Sequence, residues 1–210
     1  MMNGIVVVGG GGHAKVVVGV LKKLHFEIVG YTDPQDRGTI LGMPYLGNDD
    51  ILAEFASRRS DCGAVLGLGK IDASPTRRRL QAEVEALGFE FPVIVSPHAV
   101  VNEEVALGPG TVVFDGAVIN SGATTGRSCI INTNSTVEHD CRLGENVHIA
   151  SGSIVSGGVS IGADCMIGAG STIVQDVTMC PDCLIGAGST VIRDIAAPGI
   201  YAGNPARRIG

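Results

Sequence analysis

From Val95 to Ile195 the chain repeats a pattern of six residues without an insertion or a deletion. Each hexad opens on an apolar residue, with Thr125 as the only polar one, and its fifth position is small or β-branched. A period of six belongs to neither an α-helix nor an ordinary strand, and it is typical of a parallel β-helix. The pattern therefore predicts a β-helix over residues 95–196. Three hexads make one triangular coil, so residues eighteen apart share a corner.

Residues 1–94 show a different pattern, in which short apolar runs alternate with stretches that carry apolar residues at helical spacing. This alternation predicts a small α/β domain, a parallel sheet flanked by helices that amounts to half of a Rossmann fold. Asn48 is a candidate cap for the second helix, and Ser74-Pro75 is typical of the start of the third. The predicted strands are Asn3–Gly9, Phe26–Tyr31, Ala64–Leu68 and Phe91–Val95, and the predicted helices are His13–Leu24, Asp49–Arg58 and a third that ends at Leu87-Gly88.

The composition fits such an architecture, because 31 glycines, 4% aromatic residues and no tryptophan suit tight corners around a narrow interior. A formal net charge of −6 gives no support to a nucleic-acid or anionic-membrane partner. We find no secretion leader or membrane-spanning run, so we expect a cytoplasmic protein. Residues 197–210 break the hexad period, and we expect this tail to leave the prism and cover its end or one flank.

Six cysteines include Cys180 and Cys183 in a C-x-x-C, a spacing used for zinc and redox chemistry. The hexad frame places Cys183 at the inward fifth position, whereas Cys180 directly follows an opening residue. We therefore interpret the cysteines as small buried hydrophobes and expect no metal.

A glycine-rich turn joins the first predicted strand to the first predicted helix. Gly9–Ala14 satisfies G-x-G-x-x-A, and Asp33 follows about twenty residues later. Glycines allow backbone amides to approach phosphate at a helix N-terminus, and Asp33 can accept from a ribose hydroxyl or a base. Because the segment holds one mononucleotide-binding half, the nucleotide of a substrate is favoured over NAD. The residues assigned to this substrate are Gly10, Gly11, Gly12, His13, Asp33 and Gly69, the last at the end of the third strand.

His139 and Asp140 fall at outward or corner positions, between the opening Val137 and the inward Cys141. A neutral imidazole beside a carboxylate can take a proton from an attacking amine, because the carboxylate stabilises the imidazolium. Gly157 lies eighteen residues after His139, so its N–H is a candidate donor to an oxyanion. The alternatives are a surface histidine with a solvated neighbour and a glycine that only turns a corner.

Three segments carry a resemblance that extends over nearly the whole chain. They are IVVVGGGGHAKVV, NTNSTVEHDCRLGENVHIASGS and YAGNPARRI, which begin at Ile5, Asn132 and Tyr201. With the hexads between them, the chain resembles hexapeptide-repeat acyltransferases of nucleotide sugars, in the branch of bacillosamine-type N-acetyltransferases and sialic-acid O-acetyltransferases. The resemblance implies a left-handed β-helix, a homotrimer with active sites between subunits, and acetyl-coenzyme A as donor.

The resemblance also implies that the nucleotide bound at the glycine-rich turn belongs to a sugar substrate, and it implies roles for single residues. It assigns catalysis to His139, places Asn132 against the sugar or base, and makes His148 a coenzyme contact. The full set assigned to coenzyme A is His148, Gly157, Ala169 and Ala187.

The leading hypothesis is direct acetyl transfer from acetyl-coenzyme A to the amino group of a nucleotide-linked 4-amino-4,6-dideoxy sugar. O-acetylation of a sialic-acid-type sugar is the alternative within enzymes. A metal-dependent hydratase would need a third histidine beside His139 and His148, and a non-catalytic nucleotide-sugar sensor is also possible. The identity of the base and the stereochemistry of the sugar are left open.

Overall fold

The N-terminal half of the protein is a four-stranded parallel sheet with helices on both faces. The computed structural model of the protein describes residues 4–59, 61–72 and 74–210. The sheet has the strand order β3-β2-β1-β4. Its strands are β1 (Gly4–Val8), β2 (Ile28–Thr32), β3 (Tyr45–Gly47) and β4 (Cys62–Leu66), and the helices are α1 (Gly12–Lys23), α2 (Ile51–Arg58) and α3 (Thr76–Ala86).

The alternation of side chains along β1 separates two cores. Ile5 and Val7 pack toward α1 and toward the second half of the chain. Val6 and Val8 pack on the opposite side, where Leu52 of α2 and Val84 of α3 lie. Because both faces are covered, every residue of β1 is buried, and the strand reads as one apolar run.

Two details of this half differ from expectation. Phe91–Val95 does not supply a fourth strand of the sheet, since Ile94–Val95 pairs with Val112–Val113 in the β-helix and β3 occupies the sheet edge instead. The apolar run was assigned to the wrong sheet because its last residue already opens the first hexad. Asn48 does not cap α2: the cap position is Asp50, to which Asn48 Nδ2 donates. Asn3, the predicted start of β1, lies outside the described residues.

The second half is a left-handed β-helix of three parallel sheets, as the hexads predict. Residues eighteen apart pair in register, for example Ile131 with Val113 on one side and Ile149 on the other. Its strands are β5 (Ile94–Val95), β6 (Val100–Val101), β7 (Val112–Val113), β8 (Val118–Ile119), β9 (Thr124–Thr125), β10 (Ile130–Ile131), β11 (Thr136–Val137), β12 (Arg142–Leu143), β13 (His148–Ile149), β14 (Ile154–Val155), β15 (Ser160–Ile161), β16 (Met166–Ile167), β17 (Thr172–Ile173), β18 (Thr178–Met179), β19 (Cys183–Ile185), β20 (Thr190–Val191), β21 (Gly199–Ala202) and β22 (Arg207–Arg208).

The fifth position of each hexad is small because it lies inside a corner of the prism. Cys129, Cys141, Cys165 and Cys183 are fully buried there, which confirms the interpretation of the cysteines as core residues. Ser153 is equally buried, and its hydroxyl donates to Gly168 O at 2.9 Å. A small polar side chain at this position thus satisfies a carbonyl of the next coil.

The fourth position of successive hexads adopts left-handed backbone dihedrals at corner after corner. Only glycine, asparagine and aspartate tolerate this conformation well, and they fill most of these sites. The positions with positive φ are Glu104, Gly110, Gly116, Gly122, Ser128, Asn134, Asp140, Asn146, Gly152, Gly158, Asp164, Gly170, Asp176, Asp182 and Gly188.

The three outer faces of the prism differ in chemistry. On the covered face, Ile94, Val112 and Ile130 are buried against the N-terminal half. The β-branched face carries an uncharged row, namely Val100, Val118, Thr136, Ile154, Thr172 and Thr190. The polar face carries Thr124, Arg142, Ser160 and Thr178.

The C-terminal tail extends the prism instead of leaving it. β21 pairs in parallel with β19, and β22 then pairs antiparallel with β21. The expectation that residues 197–210 leave the prism was wrong, because the edge of β19 offers unpaired backbone groups that the tail satisfies. The tail does cover the end of the prism, as expected, since Tyr201 and Ala206 pack against its core. Within the described part of the chain, no helix is both long and apolar enough to cross a membrane.

The left-handed corners make a prediction about stability. Gly152 has φ +68° and no atom within 4 Å of an added Cβ, so a substitution there tests the backbone alone. Gly152→Val should lower the free energy of unfolding by about 1–3 kcal/mol through strain, while Gly152→Asn should cost much less. Urea denaturation at one protein concentration measures both, and equal stability of the two variants would contradict this account.

Candidate functional site

The glycine-rich turn leaves the N-terminus of α1 open to a ligand. Gly11 is the cap residue and makes no side-chain capping bond, and the first turn of α1 contains no acidic residue. Added Cβ atoms at Gly11 and Gly12 would meet nothing within 4 Å, whereas one at Gly10 would lie 2.5 Å from Tyr31. The free N–H groups of the first turn and the helix dipole therefore favour an anion at this end of α1.

Asp33 ties the turn to the end of β2. Its Oδ2 accepts from Gly10 N–H at 2.9 Å, and its Oδ1 accepts from Gln35 N–H at 3.0 Å and lies 3.1 Å from Arg37 Nε. Burial alone would raise the pKa of Asp33, but these donors lower it below its ordinary value. Asp33 is thus an ionised carboxylate that fixes the loop.

A cavity of about 420 Å³ lies over the carboxyl ends of the four strands. Six of the seven residues predicted to bind the substrate line it, which brings the glycine turn, Asp33 and Gly69 together, whereas Asn132 is not among its lining residues. The sequence reasoning did not include several other lining residues. The full lining is Gly9, Gly10, Gly11, Gly12, His13, Asp33, Pro34, Arg37, Asp49, Gly67, Leu68, Gly69 and Leu80.

His13 connects this cavity to the β-helix. Its ring meets Phe114 edge-on, with centroids 5.4 Å apart. Burial, together with the charge of Arg77 and the nearby His148, lowers the pKa of His13 to about 3. Its Nε2 is enclosed and has no hydrogen-bond partner among the described residues, so the imidazole is neutral at the junction of the two halves.

His148 lies under the N-terminal half on the covered face. Its Nδ1 donates to Lys70 O at 2.8 Å, and its Nε2 accepts from Asn132 Nδ2 at 3.1 Å. Burial lowers the pKa of His148 to about 4, so the ring is neutral. The structure thus pairs His148 with Asn132 and separates both from the corner of His139, and their predicted contacts with coenzyme and sugar stay predictions.

His139 and Asp140 stand on the corner between the β-branched face and the polar face. His139 Nδ1 lies 2.9 Å from Asp140 Oδ2, and the His139 side chain is 59% exposed. The hydrogen bond that His139 Nδ1–H donates to Asp140 raises the pKa of His139 above its ordinary value. Because Asp140 holds Nδ1, Nε2 is the nitrogen presented as a proton acceptor.

Gly157 lies directly against this imidazole, one coil further along. A Cβ at Gly157 would be 2.5 Å from His139 Nε2, so only glycine leaves room for the ring. The N–H of Gly157 donates to no group in the described part of the chain, whereas Gly158 N–H donates to His139 O at 2.9 Å. An unused donor thus lies beside the proton acceptor, as the eighteen-residue spacing predicts.

Ala169 and Ala187 are exposed on a different corner, between the covered face and the β-branched face. They stack on successive coils, where Gly188 N–H donates to Ala169 O at 2.8 Å. The residues predicted for one active site therefore occupy opposite edges of the β-branched face within a single chain.

A polar ladder beside His139 was missed. Asn102 Nδ2 donates to Asn120 Oδ1, and Asn120 Nδ2 donates to Glu138 Oε2, each at 2.7 Å. The eighteen-residue spacing of these three residues was available in the sequence as a signal. No group of three or more His, Cys, Asp or Glu side chains in residues 4–59, 61–72 and 74–210 is arranged to hold a metal ion.

Comparisons with known proteins agree with this geometry. Residues 4–84 match the PglD N-terminal domain, and residues 122–157 and 158–193 match the bacterial transferase hexapeptide family (six repeats). A comparison with curated protein sequences finds no match.

Among solved structures, a histidine variant of perosamine N-acetyltransferase from Caulobacter crescentus, in complex with CoA and GDP-perosamine, is 34% identical, with a TM-score of 0.93 over 100% of this chain and 98% of that one. The acetyltransferase domain of PglB from Neisseria gonorrhoeae, in complex with acetyl coenzyme A, is 32% identical, with a TM-score of 0.93 over 100% of both chains.

A glycine-turn α/β domain docked on a left-handed β-helix defines the hexapeptide-repeat acyltransferases as the class. Within that class, this chain belongs to the nucleotide-sugar N-acetyltransferase family, which confirms the resemblance seen in its motifs.

The histidine environments predict distinct titrations. The chain has five histidines. The pKa of His139 should lie above that of an ordinary histidine, whereas His13 and His148, with pKa values of about 3 and about 4, should stay neutral down to about pH 5. Asp140→Asn should lower the pKa of His139, because it removes the charge that stabilises the imidazolium. NMR titration of the imidazole C–H signals, assigned with a His139→Asn variant, measures this. An unchanged pKa in Asp140→Asn would show that the pair is only a surface contact.

Proposed function

We propose that this protein transfers the acetyl group of acetyl-coenzyme A to the 4-amino group of a nucleotide-linked 4-amino-4,6-dideoxy sugar. The observation that carries the proposal is the contact of His139 Nε2 with Gly157, with Asp140 on Nδ1. It supplies a proton acceptor and a free N–H donor side by side. Support also comes from the Caulobacter relative, an N-acetyltransferase bound to CoA and GDP-perosamine.

In this mechanism the sugar amine attacks the thioester carbonyl directly. His139 Nε2 takes a proton from the amine as the new N–C bond forms, and Asp140 stabilises the imidazolium. Gly157 N–H donates to the oxygen that becomes negative in the tetrahedral intermediate. When the C–S bond breaks, the imidazolium returns its proton to the departing thiolate, which leaves an amide, free coenzyme A and neutral His139.

The division of labour follows the two halves of the chain. Residues 1–94 form the nucleotide-sugar-binding domain, in which the N–H groups of Gly11 and Gly12 meet the diphosphate. Residues 95–196 form the acetyltransferase domain, and residues 197–210 are the C-terminal tail. Both substrates are cytoplasmic metabolites, so the proposed reaction places the enzyme in the cytoplasm.

The proposed assembly is a homotrimer with active sites between subunits. The β-branched face supports it, because Val100 is 51% and Ile154 44% exposed in a row without charged side chains. His139 lies at one edge of this face, and Ala169 and Ala187 lie at the other. Packing three such faces around an axis brings the His139 corner of one chain toward the coenzyme residues and nucleotide domain of its neighbour.

O-acetylation of a sialic-acid-type sugar remains the competing hypothesis for the acceptor atom. The two relatives reported above include an enzyme named for N-acetylation, which favours the amine.

Loss of the proton acceptor should abolish most turnover. His139→Ala should lower kcat by about 10²–10⁴-fold, because attack by the amine then lacks a general base. A coupled thiol-release assay with a panel of nucleotide amino sugars measures the rate. Size-exclusion chromatography and equilibrium binding of coenzyme A serve as controls and should be unchanged, while full activity in this variant would sink the assignment.

The pH profile should follow the His139–Asp140 pair. The general base must be neutral to accept a proton. We therefore expect kcat/KM to be highest above the pKa of His139 and to decrease as the pH falls through that pKa. Since Asp140 raises that pKa, Asp140→Asn should move the acidic limb to lower pH while also lowering the maximum rate. An acidic limb that stays in place would assign it to another group.

Mixed trimers test whether the site lies between chains. His139→Ala and Asp33→Ala should each be inactive alone, because one lacks the base and the other the anchored glycine turn. When the two variants are co-expressed with different tags, mixed trimers should form. By random assortment about a quarter of all sites should be active, because there a chain with an intact His139 meets a neighbour with an intact Asp33. Purified mixed trimers without activity would place each site within one chain.

A further inference from the structure

The strand order of the N-terminal sheet determines which residues would lie along a bound nucleotide, from its diphosphate to its base. The glycine turn follows β1, Asp33 follows β2 and Asp49 follows β3, in spatial order β3-β2-β1. Neighbouring strands lie about 4.8 Å apart, so Asp49 stands roughly 10 Å from the turn that meets the diphosphate. In sheets of this order a nucleotide lies across the carboxyl ends of the strands, with the base furthest from the helix N-terminus. Asp49 therefore stands at the base end of the cavity.

Asp33 has little capacity left for a ligand. A carboxylate offers about four acceptor positions, and three are taken by Gly10 N–H, Gln35 N–H and Arg37 Nε. The side chain is 9% exposed. Because its oxygens are occupied, Asp33 holds the glycine turn in place and has little capacity to recognise the base.

Asp49 has the opposite character. Its Oδ1 accepts from the hydroxyl of Thr32, a buried residue of β2, at 2.5 Å. Its Oδ2 has no hydrogen-bond partner among the described residues, and the residue lines the cavity. Thr32 thus holds one oxygen of the carboxylate while the other remains available as an acceptor.

We propose that Asp49 selects guanine as the base of the nucleotide sugar. Guanine presents two adjacent donors, N1–H and the 2-amino group, that a single carboxylate can accept together. Uracil and thymine present one N–H between two carbonyl oxygens, which a carboxylate repels, and adenine presents one donor beside an acceptor. This inference rests on the proposed function and names its substrate class as GDP-linked amino sugars.

The chemistry of Asp49 defines a test by base analogues. Full-length protein and the variant Asp49→Asn are titrated calorimetrically with GDP, IDP, XDP and UDP. The unaltered protein should bind GDP about tenfold or more tightly than IDP, which lacks the 2-amino donor, and more tightly still than XDP or UDP. Asp49→Asn should weaken the binding of GDP about ten- to hundredfold. It should bind XDP more tightly than the unaltered protein does, because the amide donates to the 2-carbonyl of xanthine.

Asp50→Asn is the matched control. Asp50 is exposed beside Asp49, accepts from Asn48 and does not line the cavity, so this variant should keep the order GDP, IDP, XDP. The inference is overturned if the unaltered protein does not prefer GDP to IDP, or if Asp49→Asn retains the GDP-over-XDP preference.

The thiol-release assay separates this inference from the proposed function. Acetyl transfer to a UDP- or dTDP-linked amino sugar but not to a GDP-linked one would overturn the role of Asp49 and leave the acetyltransferase intact. GDP selectivity in binding without thiol release from any amino sugar would support the Asp49 contact and overturn the proposed reaction.

Discussion

The in-register stacking of coils is the constraint on which the rest of the molecule depends. Each residue pairs with those eighteen positions before and after it, and each third of a coil must turn through a left-handed residue. Both requirements are local, yet together they leave the chain almost no freedom between Val95 and Val191. Corner side chains such as His139 consequently lie on a rigid frame, and the number of residues between two of them determines their relative positions.

This frame explains how Asp140 serves two requirements at once. It occupies a left-handed corner with φ 60°, where aspartate, asparagine and glycine are the tolerated residues, and it places its carboxylate on His139 Nδ1. Gly157 is glycine for a separate reason, since the imidazole fills the space of its absent side chain. The catalytic hypothesis and the folding rules of the prism therefore select the same residue types at this corner.

The sequence was most informative where spacing alone determines position. The hexad period predicted the β-helix, the burial of Cys183 and the stacking of Gly157 beyond His139. It failed where a segment could serve either half, as with Phe91–Val95, and where a free sheet edge captured the tail. Two contacts depend on packing between elements that lie far apart in sequence, so no local pattern predicts them. They are the hydrogen bond between His148 and Asn132 and the hydrogen bond from the Thr32 hydroxyl to one oxygen of Asp49.

The repeat also restricts how such an enzyme can change its length. An insertion of six residues would shift every later corner by one face, so that His148, for example, would leave the face covered by the N-terminal half. An insertion of eighteen residues would keep every face and move the later coils by one strand spacing, about 4.8 Å. A change of length that keeps every face therefore comes in whole coils, so the distance along the prism between the N-terminal domain and a given corner changes in steps of one strand spacing.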